Sequence, residues 1–600
     1  MGSHPSLKLA LLSLLAIAAF APAAVHAAGS AYVATADSGG TVRQYDIAAD
    51  GTLSAKSPAS VPAATAAPNA VGITPDGVGV YVTNSNSSPP TELLNQYAAG
   101  ADGTLSALNP PTFQVAGNAL AVAVTPDGRH AYVGCNLSGE GPKIFMFDVG
   151  PGGTLTAKTP AFISVDAANG LIISPDGKSI YSTGGGEVEQ FDIASDGVLT
   201  AKTPPSVPAG SIPTQGSITP DGKNMYVPDL NSANVLQYDV GADGKLSAKN
   251  PPTVASTGIP IRSALSPDGR NFYVISIGGQ LSQYDIGSDG KLSPKTTPVV
   301  TAGTANGIWV AVSPDSKSVY VVVDANVAQY DAGADGALTP KTPPSVPAGS
   351  GPVGIAITPN QPPHAALVVK TATAGLPVDL DGSGSVDPDG SISRYDWDFG
   401  DGATVPNGGP KQKHSFAKPG TYAVSLTETD NLGCSVQPVF TGQVASCGGG
   451  PAARATARVT VPGATMSSLG LSSRTFRAAT RGGSVVAARR KRPRGTRVSY
   501  SLDGPAVVKF RVQRAAKGRR VGRVCKKPTR RNRKRRSCVR WAGVRGSFSV
   551  TSSAPGAVSF RFTGRLNRKA LKPARYRLVV TPVSGGVPGK VQRIRFRIVR

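Results

Sequence analysis

Over the first 360 residues, short apolar runs alternate with turns rich in Gly, Pro and Asp. The stretch VGITPDGVGVYVTN (71–84) shows the unit: an apolar run, a Thr-Pro-Asp-Gly turn, and a second apolar run that answers it. Pro presets φ for the turn, Asp bonds the amides that follow it, and Gly accepts positive φ, so the unit reads as a hairpin. The turn recurs as TPDG at 125–128 and 219–222, as SPDG at 174–177 and 266–269, and more loosely as SPDS at 313–316 and TPN at 358–360. A Tyr follows every copy but the last: Tyr81, Tyr132, Tyr181, Tyr226, Tyr273 and Tyr320. A seventh, Tyr32, has no turn before it. An aromatic-Asp stretch shares the period, QYDI at 44–47 and 283–286, MFDV at 146–149, QFDI at 190–193, QYDV at 237–240 and QYDA at 329–332, and text like DGTLSAK follows each.

Four short strands in each period of about 45–50 residues predict a propeller blade. A solenoid is the competing architecture, and the two ends decide against it. The last copy, VGIAITPN (353–360), has a first strand and a turn but no second strand; the N-terminal SAYVAT (30–35) has the second strand but no first. Pairing the two in one mixed blade closes a ring of seven blades over 30–360 and removes its open edges.

The pattern changes after residue 362. In 363–462, YAVSLTE (422–428) alternates apolar and polar as a half-buried strand does. In 496–600, alternating runs at 496–502, 506–514, 546–552, 557–565, 574–582 and 590–599 put Arg on one face, predicting a small basic β-sandwich behind a basic linker, 463–495. The expected fold is all-β: a seven-bladed β-propeller (28–362), an Ig-like β-sandwich (363–462) and a basic C-terminal β-sandwich.

Two resemblances sharpen this. Tyr81-Val82-Thr83-Asn84 is the signature of the YVTN propeller repeats, and 30–360 resembles that family and the lactonase-type propellers. The second segment resembles a PKD domain through Trp397, Phe399, Gly400, Asp401 and Gly402, then His414, Pro419, Gly420, Tyr422 and Asp430. It departs from that pattern in CSVQPVFTGQVASC (434–447), a lengthened loop before the last strand. The PKD resemblance implies a spacer or a module for protein and carbohydrate contact. The lactonase resemblance implies His, Arg and Glu lining a central channel; here Thr214 and Gln215 stand where Arg and His would, and Asp229 where Glu would.

Candidate chemistry is correspondingly sparse. The catalytic candidates are Asp229 and His130, the latter expected as an exposed polar residue just after a turn. No Ser-His-Asp set, metal-spaced His/Cys set or phosphate loop is evident. Trp397 and Phe399 are expected in the core. No cofactor is expected, Ca²⁺ excepted: Asp387 and Asp389 offer it clustered oxygens, against the alternative of a turn closed by its own Asp side chains.

Charge is distributed unevenly. Residues 461–600 hold 38 of the 62 Lys and Arg and a single acid, Asp503, a net +37 against −11 for the rest. Such asymmetry points to a polyanionic partner. Cys525 and Cys538 bracket KKPTRRNRKRRS, in which Arg530, Arg531, Arg533, Lys534, Arg535 and Arg536 are the polyanion-binding candidates. Aromatics are sparse there, so no sequence-specific nucleic acid is expected. Lys8, the apolar run Leu9–Phe20 and APAAVHAAG read as a secretory signal peptide ending at residue 27. Outside the cytosol thiols pair, and proximity suggests Cys434–Cys447 and Cys525–Cys538 with Cys135 left over. No later run is long and apolar enough to span a bilayer. The sequence therefore describes an exported, non-catalytic binding or adhesion protein, secreted or held at the cell surface. Its propeller would meet a protein or carbohydrate ligand and its tail an anionic surface polymer. The alternative is an extracellular lactonase-like hydrolase working in the channel.

Overall fold

The computed structural model describes residues 29–600 except 38, 64–66, 85–92, 116, 137–140, 305–306, 371, 373–375, 443–444 and 487–493. The expected signal peptide and part of the basic linker lie outside the described residues. Among the described residues, strands make up every element apart from three 3₁₀ turns. The chain divides into two compact units. One takes in the chain up to His364 together with Val386–Ser393 and Thr429–Ala453; the other holds Ala365–Ser385, Arg394–Glu428 and Arg454–Arg600.

The first unit contains seven four-stranded antiparallel sheets. Six are consecutive in sequence; the seventh combines Pro352–Ile357 with Ser30–Thr35, Thr41–Ile47 and Leu53–Pro62. Ala31 pairs with Ile357 and Val33 with Ile355, so the two chain ends complete one blade, as their complementary halves predict. The turn Asp residues do the work assigned to them: Asp76 Oδ1 accepts from the Thr74 hydroxyl and from the Val78 amide at 3.1 Å, and Asp127, Asp176, Asp221, Asp268 and Asp315 repeat the pattern.

The other repeated residues join blade to blade. Each of the seven Tyr residues is buried and donates its hydroxyl at 2.6–2.9 Å to a glycine carbonyl of the following blade, from Tyr32 to Gly103 round to Tyr320, which reaches Gly51 and closes the circle. The Gln of each QYD or QFD stretch accepts the backbone amide of a Leu in the next blade, as Gln44 does from Leu105 and Gln329 from Leu53, both at 2.6 Å. Lys56, Lys158, Lys202, Lys249, Lys295 and Lys341 bury their ammonium groups, pair with an Asp of their own blade and donate to a carbonyl of the next. A buried ammonium is tolerable only when it is so paired.

The second unit has two cores. Trp397, Phe399, Phe416, Val424, Leu426 and Val459 make the first, with Trp397 and Phe399 each 2% exposed. His414 stacks on Phe399 at 4.0 Å and holds Asp401 at 2.8 Å. The C-terminal core lies between two sheets. One is formed by Met466–Leu471, Thr496–Leu502, Gly556–Phe562 and Val485–Val486; the other is built on Ala506–Val521, Ala574–Ser584 and Gln592–Val599. Along Ala506–Val521, Val508, Phe510 and Val512 point inward while Lys509 and Arg511 face solvent, which is why the alternating text folds as a sandwich.

Candidate functional site

The channel of a propeller is bounded by the innermost strand of each blade, here the strand that ends in the Thr/Ser-Pro-Asp turn. Its contents come first from small residues. Four positions before the turn's Thr or Ser stand Ala70, Ala121, Gly170, Gln215, Arg262, Trp309 and Gly354.

The polar members of the candidate lactonase set are all engaged in holding backbone. Gln215 donates Nε2 to the Leu171 carbonyl at 2.5 Å and accepts the Leu171 amide at 3.1 Å, clamping the neighbouring blade. Thr214 donates its hydroxyl to Pro228 at 3.2 Å. Asp229 is 0% exposed and accepts the Ile212 amide at 2.8 Å and the Ser211 amide at 3.2 Å. Its carboxylate staples the loop 210–212, whose Gly210 approaches so closely that a Cβ would lie 2.4 Å from Oδ2. His130 corrects the expectation of an exposed turn residue. It is 8% exposed, bonds Asp148 through Nδ1 at 3.1 Å, and packs under Gly197. Ser179 and Ser318 occupy the same place under Gly244 and Gly51, so His130 fills a structural joint between blades.

Two features of the channel were not read from the sequence. Arg262 is half-buried on the innermost strand Ile259–Leu265. Its guanidinium sits 5.0 Å from the Trp309 ring, Nη1 donates to the Ile261 carbonyl at 3.1 Å, Nε has no hydrogen-bond partner, and burial holds its pKa down to about 10. A charged residue where five of the seven blades carry Ala, Gly or Trp was the available signal. The other feature is the loop 434–447, whose Phe440 and Ala445 are buried in a propeller core with Ala121, Ile144 and Leu171. The loop closed by Cys434 and Cys447 takes its apolar packing from the propeller blades. A cavity of about 70 Å³ is lined by Ser217, Ser263, Ala264, Trp309, Ala311 and the loop's Thr441, among others.

Both expected disulfides form, Cys434–Cys447 and Cys525–Cys538, and Cys135 is buried and belongs to neither. Among the described residues no group of three or more His, Cys, Asp or Glu side chains is arranged to hold a metal ion. Asp389 accepts the Gln361 amide at 2.8 Å, while neither carboxylate oxygen of Asp387 has a hydrogen-bond partner. Burial, then the charges of Asp389 and Asp430, push the Asp387 pKa up to about 7.

Cys525–Cys538 closes a loop at the end of the hairpin formed by Ala506–Val521 and Ser537–Ser552. Thr529 and Asn532 cap one 3₁₀ turn inside it. Arg530, Arg531, Arg533, Lys534, Arg535 and Arg536 are all exposed, as are Lys526 and Lys527, and none forms an ion pair among the described residues.

Fold and sites together define an all-β protein that joins a propeller of seven four-stranded blades to a segment that matches a PKD domain. The PKD family matches residues 360–444. A segment of 56 residues is 46% identical to the collagenase ColA of Clostridium perfringens, and one of 91 residues is 32% identical to a microbial collagenase of Vibrio alginolyticus. The matched segments amount to 9% and 15% of this chain and span only 5% and 11% of those relatives. Among solved structures, the periplasmic gluconolactonase of Pseudomonas aeruginosa aligns at TM-score 0.47 and 18% identity, over 55% of this chain and 99% of its own. A putative 6-phosphogluconolactonase of Bacteroides fragilis aligns at 0.45 and 21%, over 56% and 99%. No helix among the described residues is long and apolar enough to cross a membrane.

Proposed function

We propose that this is an exported, non-catalytic binding protein of the cell surface or its surroundings. In this reading the propeller offers a surface to a protein or carbohydrate ligand, the PKD domain acts as a spacer, and the C-terminal domain binds an anionic polymer. The observation that carries the reading is the loop closed by Cys525 and Cys538. Eight basic side chains stand exposed at the tip of a long hairpin, none of them ion-paired among the described residues. Arg forks suit phosphate and carboxylate oxygens. The PKD match and the two disulfides support an extracellular setting. Against the hydrolase reading stand the engagement of Asp229, Gln215 and Thr214 with backbone and the small, mostly Ser, Ala and Val lining of the channel cavity.

The test is salt-dependent binding of the full chain to duplex DNA, used as a generic polyanion. If the six candidate loop cations each neutralise a phosphate, affinity should fall about 10³-fold between 50 and 200 mM salt. Replacing Arg530, Arg531, Arg533, Lys534, Arg535 and Arg536 by Gln should remove most of that slope. An unchanged slope in the substituted protein would refute the assignment to this loop.

A further inference from the structure

The lengthened PKD loop and the irregular seventh turn of the propeller repeat are two departures from pattern, and the structure joins them. In TPN (358–360), Asn360 stands where the other turns carry Asp, and no second strand follows. Asn360 grips the loop instead. Its amide donates to the Ser446 carbonyl at 2.9 Å, its carbonyl accepts the Gly448 amide at 2.9 Å, and its side chain donates to Asp430 Oδ2 at 2.6 Å. Asp430 Oδ1 in turn accepts the Leu432 and Cys434 amides, both at 2.8 Å, fixing the start of the loop.

From there the loop runs against the innermost strands. The Thr441 carbonyl accepts the Ile218 amide at 3.1 Å, and the Gly442 carbonyl accepts the Ile173 amide at 2.8 Å. These are edge amides of the fifth and fourth blades, which would otherwise face the lumen unpaired. Phe440, 1% exposed, and Ala445, 3% exposed, enter the apolar cluster of the third and fourth blades. Gly442 has φ +109°, and a Cβ there would lie 2.7 Å from Ile172 Cγ2, so the fit requires glycine. Between the innermost strands and Thr441, Ala445 and Ser446 the cavity is about 70 Å³, far below the roughly 300 Å³ from which small-molecule pockets begin, while wider recesses bordered by Gln437 and Pro438 lie among the Pro-Asp turns.

We propose that the disulfide-closed loop, through its described residues 434–442 and 445–447, is a plug: the chain's own occupant of the propeller channel, entering from the face of the Thr/Ser-Pro-Asp turns and closing that face to solutes. The role is separate from the reading above, because Asp229 lies at the end of its strand remote from the turn, so a hydrolase open at the other mouth would still carry the plug.

The test uses the full chain with Ala311→Cys, which places a thiol in the cavity the loop borders; Cys135 is buried and serves as the internal control. Labelling by N-ethylmaleimide is compared between the native loop and a variant in which 434–447 is replaced by a Gly-Ser-Gly bridge. The bridged variant should react about tenfold faster or more; equal rates would overturn the proposal. A second variant needs no deletion. Ile218→Cys with Thr441→Cys in the native chain should form an internal disulfide, seen by peptide mapping without reductant. Free thiols at both positions in the folded protein would overturn it as well.

Discussion

The joint that closes the ring can be tested at one atom. Tyr320 is 0% exposed and donates its hydroxyl to the Gly51 carbonyl at 2.6 Å, across 269 residues of sequence. Tyr320→Phe removes the donor, keeps the ring, and leaves a buried carbonyl without a partner. The loss is about 1–3 kcal/mol, the desolvation penalty of one such group. That corresponds to about 5- to 150-fold in an opening equilibrium. The assay is hydrogen exchange read by mass spectrometry on peptides covering Ser30–Thr35 and Pro352–Ile357, which meet in the mixed blade. Their exchange should accelerate by that factor in Tyr320→Phe. In Tyr181→Phe, which breaks the joint to Gly244 inside the ring, it should stay close to native while the fourth and fifth blades loosen. If Tyr320→Phe leaves the mixed blade unchanged, or if its strands exchange as fast as loops in the native protein, the ring is not closed as described.

Two further outcomes are expected. Burial pushes the Glu189, Asp387 and Glu428 carboxyls up to about 7. The folded state therefore keeps protons that the unfolded chain releases near its ordinary carboxylate values, and stability should fall as pH rises from about 4.5 to about 7. The carboxylates whose pKa is lowered, such as Asp148, act below that window; a urea midpoint higher at pH 8 than at pH 5 would contradict the assignment. Thiol titration of the non-reduced protein should find no reactive thiol when folded and one, Cys135, in denaturant; three or more in denaturant would mean that a disulfide is absent.

Much of this architecture was legible because it is repeated. Seven Tyr residues at one period gave the blade count, and the half-blades at residues 30–35 and 353–360 gave the closure. The reason for the Tyr, Gln and Lys residues was not legible, since each reaches a partner in the next blade more than 30 residues away, and period alone does not say what a side chain touches. His130 was misplaced for a related reason: a residue after a turn is exposed in an isolated hairpin but buried once another blade packs on it. The cationic loop needed no partner element and was read directly from its cysteines and charges. The plug was hidden because 434–447 looks like a loop of the domain that contains it in sequence; its apolar Phe440 and its Gly442 make sense only against Leu171, Ile172 and Ile218.

The central claim is that the propeller binds and does not catalyse. The most direct measurement is hydrolysis of glucono-δ-lactone by the full chain and by its Asp229→Ala variant, followed by proton release against a no-enzyme control. The account predicts that both proteins leave the spontaneous rate unchanged. Saturable turnover by the native chain that Asp229→Ala abolishes, with the fold intact, would contradict it.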